Sequence, residues 1–117
     1  MSQLSDQLFA LDANIRYGAV NQSGQIAEMT QNPRLPTSNP RETDKYEELL
    51  VNPAILQLAM NRGNLDMDGT RYVVIRYGTM FEIVLPYQQG HLSVGAELAA
   101  NVTQVAEKIQ HASKLRI

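Results

Sequence analysis

The spacing of hydrophobic residues changes once in the second half of the chain, and this change limits the folds that the chain can adopt. Residues 72–75 and 80–85 are strand-sized apolar segments, and residues 91–96 alternate between apolar and polar. From Leu98 onward apolar residues recur every 3.6 residues, which predicts an amphipathic helix over residues 97–113. Three strands followed by a helix indicate a sheet that helices cover.

The stripe of this closing helix is its clearest feature. Its members are Leu98, Val102, Val105, Ile109 and Ala112. We expect the stripe to pack on the sheet, because the polar residues between its members, such as Gln104, leave the opposite side to water.

The first half predicts a short helix followed by a hairpin. Leu4, Leu8 and Leu11 recur at helical spacing, with Asn14 after them. Residues 15–20 then alternate, and the turn residues 21–24 lead into a returning strand over residues 25–30.

A proline-rich segment separates the hairpin from a second helical region. Residues 31–41 carry three prolines and predict a surface loop inside a single domain that spans residues 1–117. The helical region covers residues 43–62. Asn52 followed by Pro53 is typical of a helix start, so we expect either one long helix bent at Pro53 or two abutting helices. Gly63 is the expected stop.

The predicted order is therefore α-β-β-α-β-β-β-α. Several strands are apolar on both faces, so helices should cover both sides of one sheet. The fold class is α/β in the broad α+β sense: a three-layer α/β/α domain with a five-stranded, mainly antiparallel sheet.

Composition excludes several kinds of site. The chain has no cysteine and only two histidines, which excludes disulfides and cysteine-based metal centres and argues against an all-histidine metal site. The net charge of -2 gives no bulk attraction to nucleic acid or anionic lipid. The sequence shows no signal peptide and no membrane-length apolar run, so we expect a cytoplasmic protein without metal or other cofactors.

One segment partly matches a calcium-binding loop. Residues 64–69 match the first six positions of an EF-hand loop, but Ile75 stands where the closing bidentate acid belongs. We therefore expect no calcium site, and expect Asp66 and Asp68 to shape the turn between helix and strand through Asx hydrogen bonds.

The two histidines complete no catalytic motif. His91 opens a strand, and Glu82 and Glu97 are its candidate neighbours. Without a nucleophile in a recognisable dyad or triad, a partly exposed strand-end histidine is the expected outcome, and no catalytic residue is assigned. His111 lies near the end of the closing helix, where a cation suits the helix dipole.

This sequence of elements resembles the roadblock/dynein light chain family, within the profilin-like group that includes longin domains. The resemblance rests on the hairpin, the central helix, the three-strand meander over residues 72–96 and the closing helix. Residues 72–78 and 90–95 are most similar to small archaeal members of that group.

The resemblance implies a non-enzymatic homodimer that acts as a scaffold or regulator of other proteins, small GTPases among them. Such domains pair through the central helix and the edge strand after it. On this chain the interface would involve Leu49, Leu56 and Met60 of the helix with Val73 and Ile75 of the strand. Each of these residues, taken alone, is also a candidate for the core of its own chain.

The alternative is a small-molecule sensor. Related α/β/α sheets such as PAS and GAF domains hold a ligand between helix and sheet, and such a pocket needs a few converging polar groups. Tyr17, Tyr72, Tyr77 and His91 are the candidates. An enclosed polar-lined cavity would favour the sensor, whereas a large two-fold interface would favour the interaction module.

Overall fold

The five strands form one antiparallel sheet in the order β2-β1-β5-β4-β3. The computed structural model describes residues 3–35 and 42–114. The helical elements are α1 (Gln3–Leu11), α2 (Glu42–Tyr46), a π-turn (Glu47–Val51), α3 (Asn52–Asp66) and α4 (Val102–Lys114). The strands are β1 (Ile15–Gln22), β2 (Gln25–Gln31), β3 (Val73–Arg76), β4 (Phe81–Tyr87) and β5 (Gly90–Ala96). The predicted element order and fold class are confirmed.

The first hairpin closes on the turn that its sequence predicts. Ser23 and Gly24 both have positive φ, 53° and 83°, as a two-residue turn with the twist of the flanking strands requires. Gln31 ends β2 instead of opening a loop. Asn32 is buried and donates from Nδ2 to the Ile15 carbonyl at 2.9 Å, so it is not part of a surface loop. Residues 33–35 form a turn in which Pro33 and Arg34 are exposed, as the loop prediction expects, and residues 36–41 lie outside the described residues.

Helices α1 and α4 cover one face of the sheet with an apolar core. Val105 and Ile109 of α4 are fully buried there with Leu8 of α1, as the stripe predicts. Leu98 is an exception. It is 43% exposed because Glu97–Ala100 form a turn and α4 begins only after Asn101, whose Oδ1 accepts from the Gln104 amide at 3.2 Å.

The opposite face is covered by a continuous helix over residues 42–66, made of α2, the π-turn and α3, which we call the long helix. It matches the first of the two predicted alternatives, but its irregularity lies just before Pro53. The Asn52 amide bonds to the Glu47 carbonyl, five residues back. Pro53 has no amide hydrogen to continue the ordinary ladder. Asn52 therefore does not cap a new helix, and its side chain is free for another role.

The long helix ends later than Gly63, the predicted stop. Gly63 lies inside the last turns, and its carbonyl accepts from the amides of Met67 and Gly69 at 2.9 and 3.1 Å. A Cβ on Gly63 would lie 2.5 Å from the Gly69 carbonyl oxygen, so the loop needs glycine to approach the helix. Asp68, at φ 59°, pairs with Arg71 instead of forming the expected Asx turn.

No helix within residues 3–35 and 42–114 is long and apolar enough to cross a membrane.

Candidate functional site

The interface between the long helix and the sheet is polar. Side chains alternate along a strand, so the residues between the apolar positions of β1, β4 and β5 point towards the long helix. The side chains that meet there are Tyr17, Asn21, Glu48, Asn52, Glu82, His91 and Ser93. Tyr17 is half-buried, and each of the others is 4% exposed or less. Buried polar groups need hydrogen-bond partners, and most of these find them in one another.

Glu48 is the centre of this polar interface. Both of its carboxylate oxygens lie 2.6 Å from Ser93 Oγ. Oε1 also lies 3.0 Å from His91 Nε2, and Oε2 accepts from the Tyr17 hydroxyl at 3.0 Å. Side chains from two strands, β1 and β5, therefore supply the hydrogen-bond partners of this buried group. Burial and the neighbouring Glu48 raise the pKa of Tyr17 well above its usual range.

The π-turn places Glu48 against the sheet and leaves its neighbours outside. Glu48 is 1% exposed, whereas Leu49 and Leu50 are 42% and 59% exposed. A π-turn widens the helix by one residue, so some carbonyls lose their usual partner. Asn21 Nδ2 donates to the Glu48 carbonyl at 3.2 Å, so β1 bonds to the backbone of the turn as well.

Asn52 and Glu82 form a second buried pair. Asn52 Nδ2 donates to Glu82 Oε2 at 3.0 Å, and Asn52 is fully buried. Burial, reinforced by the charge of Glu48, raises the pKa of Glu82 well above its usual value. Among the described residues nothing bonds to Asn52 Oδ1.

A cavity of about 590 Å³ opens beside these two pairs. It lies between the first turns of the long helix and the sheet. Its lining residues are Arg16, Tyr17, Gln31, Thr43, Asp44, Glu47, Glu48, Tyr77, Thr79, Met80 and Glu82. The volume lies within the range of small-ligand pockets, about 300–1,000 Å³.

Tyr77 closes one side of the cavity through a contact with the helix. Its hydroxyl donates to Glu47, with distances of 3.0 and 2.9 Å to the two carboxylate oxygens. Burial and this hydrogen bond raise the pKa of Tyr77 to about 12. Burial also raises the pKa of Glu47, with Glu48 and Asp44 adding in the same direction.

The structure brings together some of the residues named for a sensor pocket. Tyr17 and Tyr77 line the cavity, and His91 lies behind Glu48. Tyr72 is elsewhere: it packs against the core under α1 and α4, and its hydroxyl donates to Glu107 of α4 at 2.6 Å.

The expectation of a partly exposed His91 is wrong. His91 is 2% exposed, because the long helix covers this part of β5. Its partner is Glu48, 43 residues earlier, instead of Glu97, which pairs with Arg16 at 2.7 Å. Glu48 was missed because a glutamate in a helix is ordinarily a solvent-facing residue. The available signal was the alternation of β5, which places His91 and Ser93 on one covered face.

The five residues named for a dimer surface divide into two groups. Leu56 is 4% exposed and lies beneath the long helix inside its own chain, so its assignment to the surface is corrected. Leu49 is exposed, and Met60, Val73 and Ile75 are half-buried. Whether these four contact a second chain stays a prediction.

Other apolar side chains of the same two elements are also exposed. Tyr46, Leu50 and Leu58 of the long helix are 61%, 59% and 70% exposed, and Val74 of β3 is 37% exposed. Strand β3 is an edge of the sheet, as predicted. Val74 pairs with Ile83 of the core under α1 and α4, so its side chain points to the face opposite the long helix. We call the exposed apolar residues of the long helix, Tyr46, Leu49, Leu50 and Leu58, together with the edge strand β3, the helix–edge surface.

No protein-family model matches the sequence, and no curated protein matches it. Solved structures do match. MglB in a tetrameric arrangement superposes with a TM-score of 0.69 at 15% identity, covering 94% of this chain and 79% of that one. The gliding protein MglB from Thermus thermophilus gives 0.68 at 16% identity, covering 93% and 79%. A roadblock/LC7 domain from Streptomyces avermitilis gives 0.64 at 19% identity, covering 94% and 92%. The predicted resemblance is thereby confirmed at the level of architecture: this chain has the roadblock/LC7 fold.

Proposed function

We propose that the protein is a non-enzymatic interaction module that pairs with a second copy of itself and, as a dimer, serves as a scaffold or regulator of a partner protein. The observation that carries this proposal is the helix–edge surface. It combines exposed apolar side chains with a sheet edge, and a bare edge invites pairing unless something covers it. A small GTPase is the class of partner that the roadblock resemblance offers.

The buried histidine supports a role without catalysis. Ser93 and His91 both contact Glu48, but the Ser93 hydroxyl donates to the carboxylate and not to the imidazole. A serine nucleophile needs a base that takes its proton and a path for the substrate. The residues His91 and Ser93 are at most 2% exposed and are not among the described lining residues of the cavity, so a substrate in the cavity would meet only Glu48 of the three.

The proposal is tested by the mass of the protein in solution. Light scattering at micromolar concentration should give about twice the 13.1 kDa of one chain. Val74→Lys, on edge strand β3, and Leu50→Asp, on the long helix, should each give a monomer that keeps its circular-dichroism spectrum. Ala27→Lys, an exposed position on the opposite edge strand β2, is the matched control and should leave the dimer intact. A monomeric unmodified chain would contradict the proposal.

The regulatory part requires a separate assay. Adding the dimer should change the rate of GTP hydrolysis or of nucleotide exchange by a small GTPase from the same cell, and the Val74→Lys monomer should lose that effect.

The alternative function, a small-molecule sensor, has one observation in its favour. The cavity beside Glu48 is lined by Tyr17 and Tyr77, two of the four residues that we predicted for a sensor pocket. Its test is saturable binding of a small molecule in this cavity, measured by shifts of the amide NMR signals of Tyr17 and Tyr77.

A further inference from the structure

A second cavity lies on the other face of the sheet, at one end of the core under α1 and α4. Its volume is about 920 Å³, near the upper end of the range for small-ligand pockets. Gln110 of α4 and Gln88 of the β4–β5 turn line it on the polar side. Leu85 and Tyr87, two members of the core, line it on the apolar side. The cavity can therefore hold a ligand that has both an apolar part and polar atoms.

Gln22 brings a buried donor without an acceptor to this cavity. Its Nε2 is closed off from solvent, and within the described part of the chain no hydrogen bond reaches it. Gln22 lies on the same face of β1 as Val20, a core residue, and it lines the cavity. A buried N–H group without a partner costs free energy. The last torsion of a glutamine side chain is soft, so this amide can turn towards an acceptor that enters the cavity.

Arg71 gives the cavity a positive charge. It is the only charged side chain among the described lining residues. Its Nη1 donates to the Asp68 carbonyl at 2.9 Å, and its Nη2 lies 3.2 Å from Asp68 Oδ2. The Asp68 side chain is 96% exposed, and such an exposed ion pair contributes little free energy. A guanidinium has five N–H donors, so Arg71 can also bind a carboxylate in the cavity, or exchange Asp68 for it.

We propose that this cavity binds an organic carboxylate that carries a second acceptor oxygen. Arg71 pairs with the carboxylate, Gln22 donates to the second oxygen, and Leu85 and Tyr87 contact the apolar part of the ligand. The same chemistry has two sources: a free α-keto acid, or the C-terminal residues of a peptide. The site lies within one chain, on the face of the sheet opposite the long helix, so it does not depend on the proposed dimer.

The test is a titration followed by amide NMR spectra at constant ionic strength. α-Ketoisocaproate represents the free acid, and acetyl-Gly-Leu represents the peptide C-terminus. The amides of both compounds are their uncharged counterparts. We expect at least one carboxylate to give saturable shifts at the backbone amides of Gln22, Arg71 and Gln88, and the uncharged counterparts to give none. The carboxylate with the lower Kd identifies the source.

Variants of the arginine separate the site from general electrostatic attraction. Arg71→Gln should weaken the Kd by about tenfold or more, the usual effect of losing a charge-assisted hydrogen bond. Arg62→Gln is the matched control, because Arg62 is also exposed and paired with a nearby aspartate, Asp66, but does not line the cavity. Asp68→Asn removes the competing carboxylate and should strengthen binding, and asparagine tolerates the positive φ of this position, 59°.

Gln22→Met tests the unpartnered donor, because methionine has a similar length and no N–H group. This variant should weaken the Kd and leave the free energy of unfolding unchanged or higher, since a buried donor without a partner is removed. A merely structural Gln22 would instead give a less stable protein with an unchanged Kd.

Two results would overturn the proposal: no saturable binding by either carboxylate, or equal Kd values for the Arg71→Gln and Arg62→Gln variants. The Leu50→Asp monomer should bind the carboxylate normally. A failure of the dimer is therefore distinguishable from a failure of this site.

Discussion

Ser93 Oγ lies 2.6 Å from both carboxylate oxygens of Glu48, although 45 residues separate the two in sequence. Ser93 belongs to β5, the middle strand of the sheet, and Glu48 to the π-turn of the long helix. Neither side chain is more than 1% exposed. The contact therefore fixes the middle strand to the covering helix by hydrogen bonds, with His91 and Tyr17 bonded to the same carboxylate.

Removing that carboxylate should destabilise the protein strongly. Glu48→Ala leaves the buried Ser93 and His91 and the half-buried Tyr17 without this partner, and breaking such a cluster costs about 3–5 kcal/mol. Urea unfolding followed by circular dichroism measures the loss. Glu107→Ala removes an exposed acid that also bonds to a tyrosine, and it should cost less than about 1 kcal/mol. Equal losses of stability in the two variants would show that the buried cluster stabilises the protein no more than the exposed hydrogen bond does.

The stability of the protein should fall between mildly acidic and neutral pH because of Glu82. Its pKa is raised in the native state, so the folded chain holds this proton more tightly than the unfolded chain, whose value is near 4.5. The stabilisation is complete below that value and is lost as pH rises towards the native pKa. Glu82→Gln cannot ionise. Its free energy of unfolding should therefore match the unmodified chain at acidic pH and exceed it at neutral pH.

Urea midpoints at several pH values measure this difference. Glu47 also has a raised pKa, but it is present in both proteins, so only the part of its contribution that depends on the charge of Glu82 remains in the comparison. A constant offset between the two proteins across the range would contradict the prediction.

Gly63→Ala should destabilise a helix that alanine ordinarily stabilises. In an open helix the change would gain about 1 kcal/mol. Here the new Cβ would lie 2.5 Å from the Gly69 carbonyl and 2.7 Å from Thr70 Oγ1, so we expect a loss of about 1–3 kcal/mol. Gly78→Ala is the control, because a Cβ there meets no atom within 4 Å. Thermal unfolding should lower the Tm of the first variant and leave the second nearly unchanged.

Val105→Asp should unfold the domain or leave it molten. Val105 of α4 is fully buried. An unpaired carboxylate at this position costs at least several kcal/mol, comparable to the whole stability of a small domain. Gln104→Asp, one residue earlier and exposed, should be nearly silent. Near-ultraviolet circular dichroism and solubility report the outcome. If both variants melt alike, α4 is not docked on the sheet.

The order of the elements could be predicted from the sequence because the spacing of apolar residues alone distinguishes strands from helices here. The change in the spacing of apolar residues after Ala96 and the turn at Ser23 and Gly24 are local signals, and the structure confirms both. The predicted start of the closing helix, at residue 97, is too early because Leu98 continues the apolar stripe. Asn101, the residue that caps the helix, determines the boundary instead.

The polar interface could not be predicted because its partners are distant in sequence. Periodicity assigns Glu48 to solvent and says nothing about a π-turn, which here lies just before Asn52 and Pro53. Asn52 likewise fits a helix start, and only the continuous helix frees its side chain for Glu82. These departures from local rules concentrate around the cavity beside Glu48.

The two sides of the sheet should come apart in a defined order. Helices α1 and α4 are joined to it by an apolar core, whereas the long helix is joined largely through hydrogen bonds around Glu48 and Asn52. Water can replace hydrogen bonds one at a time, but it cannot replace apolar packing, so the two layers differ in their resistance to opening. Amide hydrogens of the long helix should therefore exchange with solvent through local opening, before those of β5 and α4, which exchange only when the whole domain unfolds.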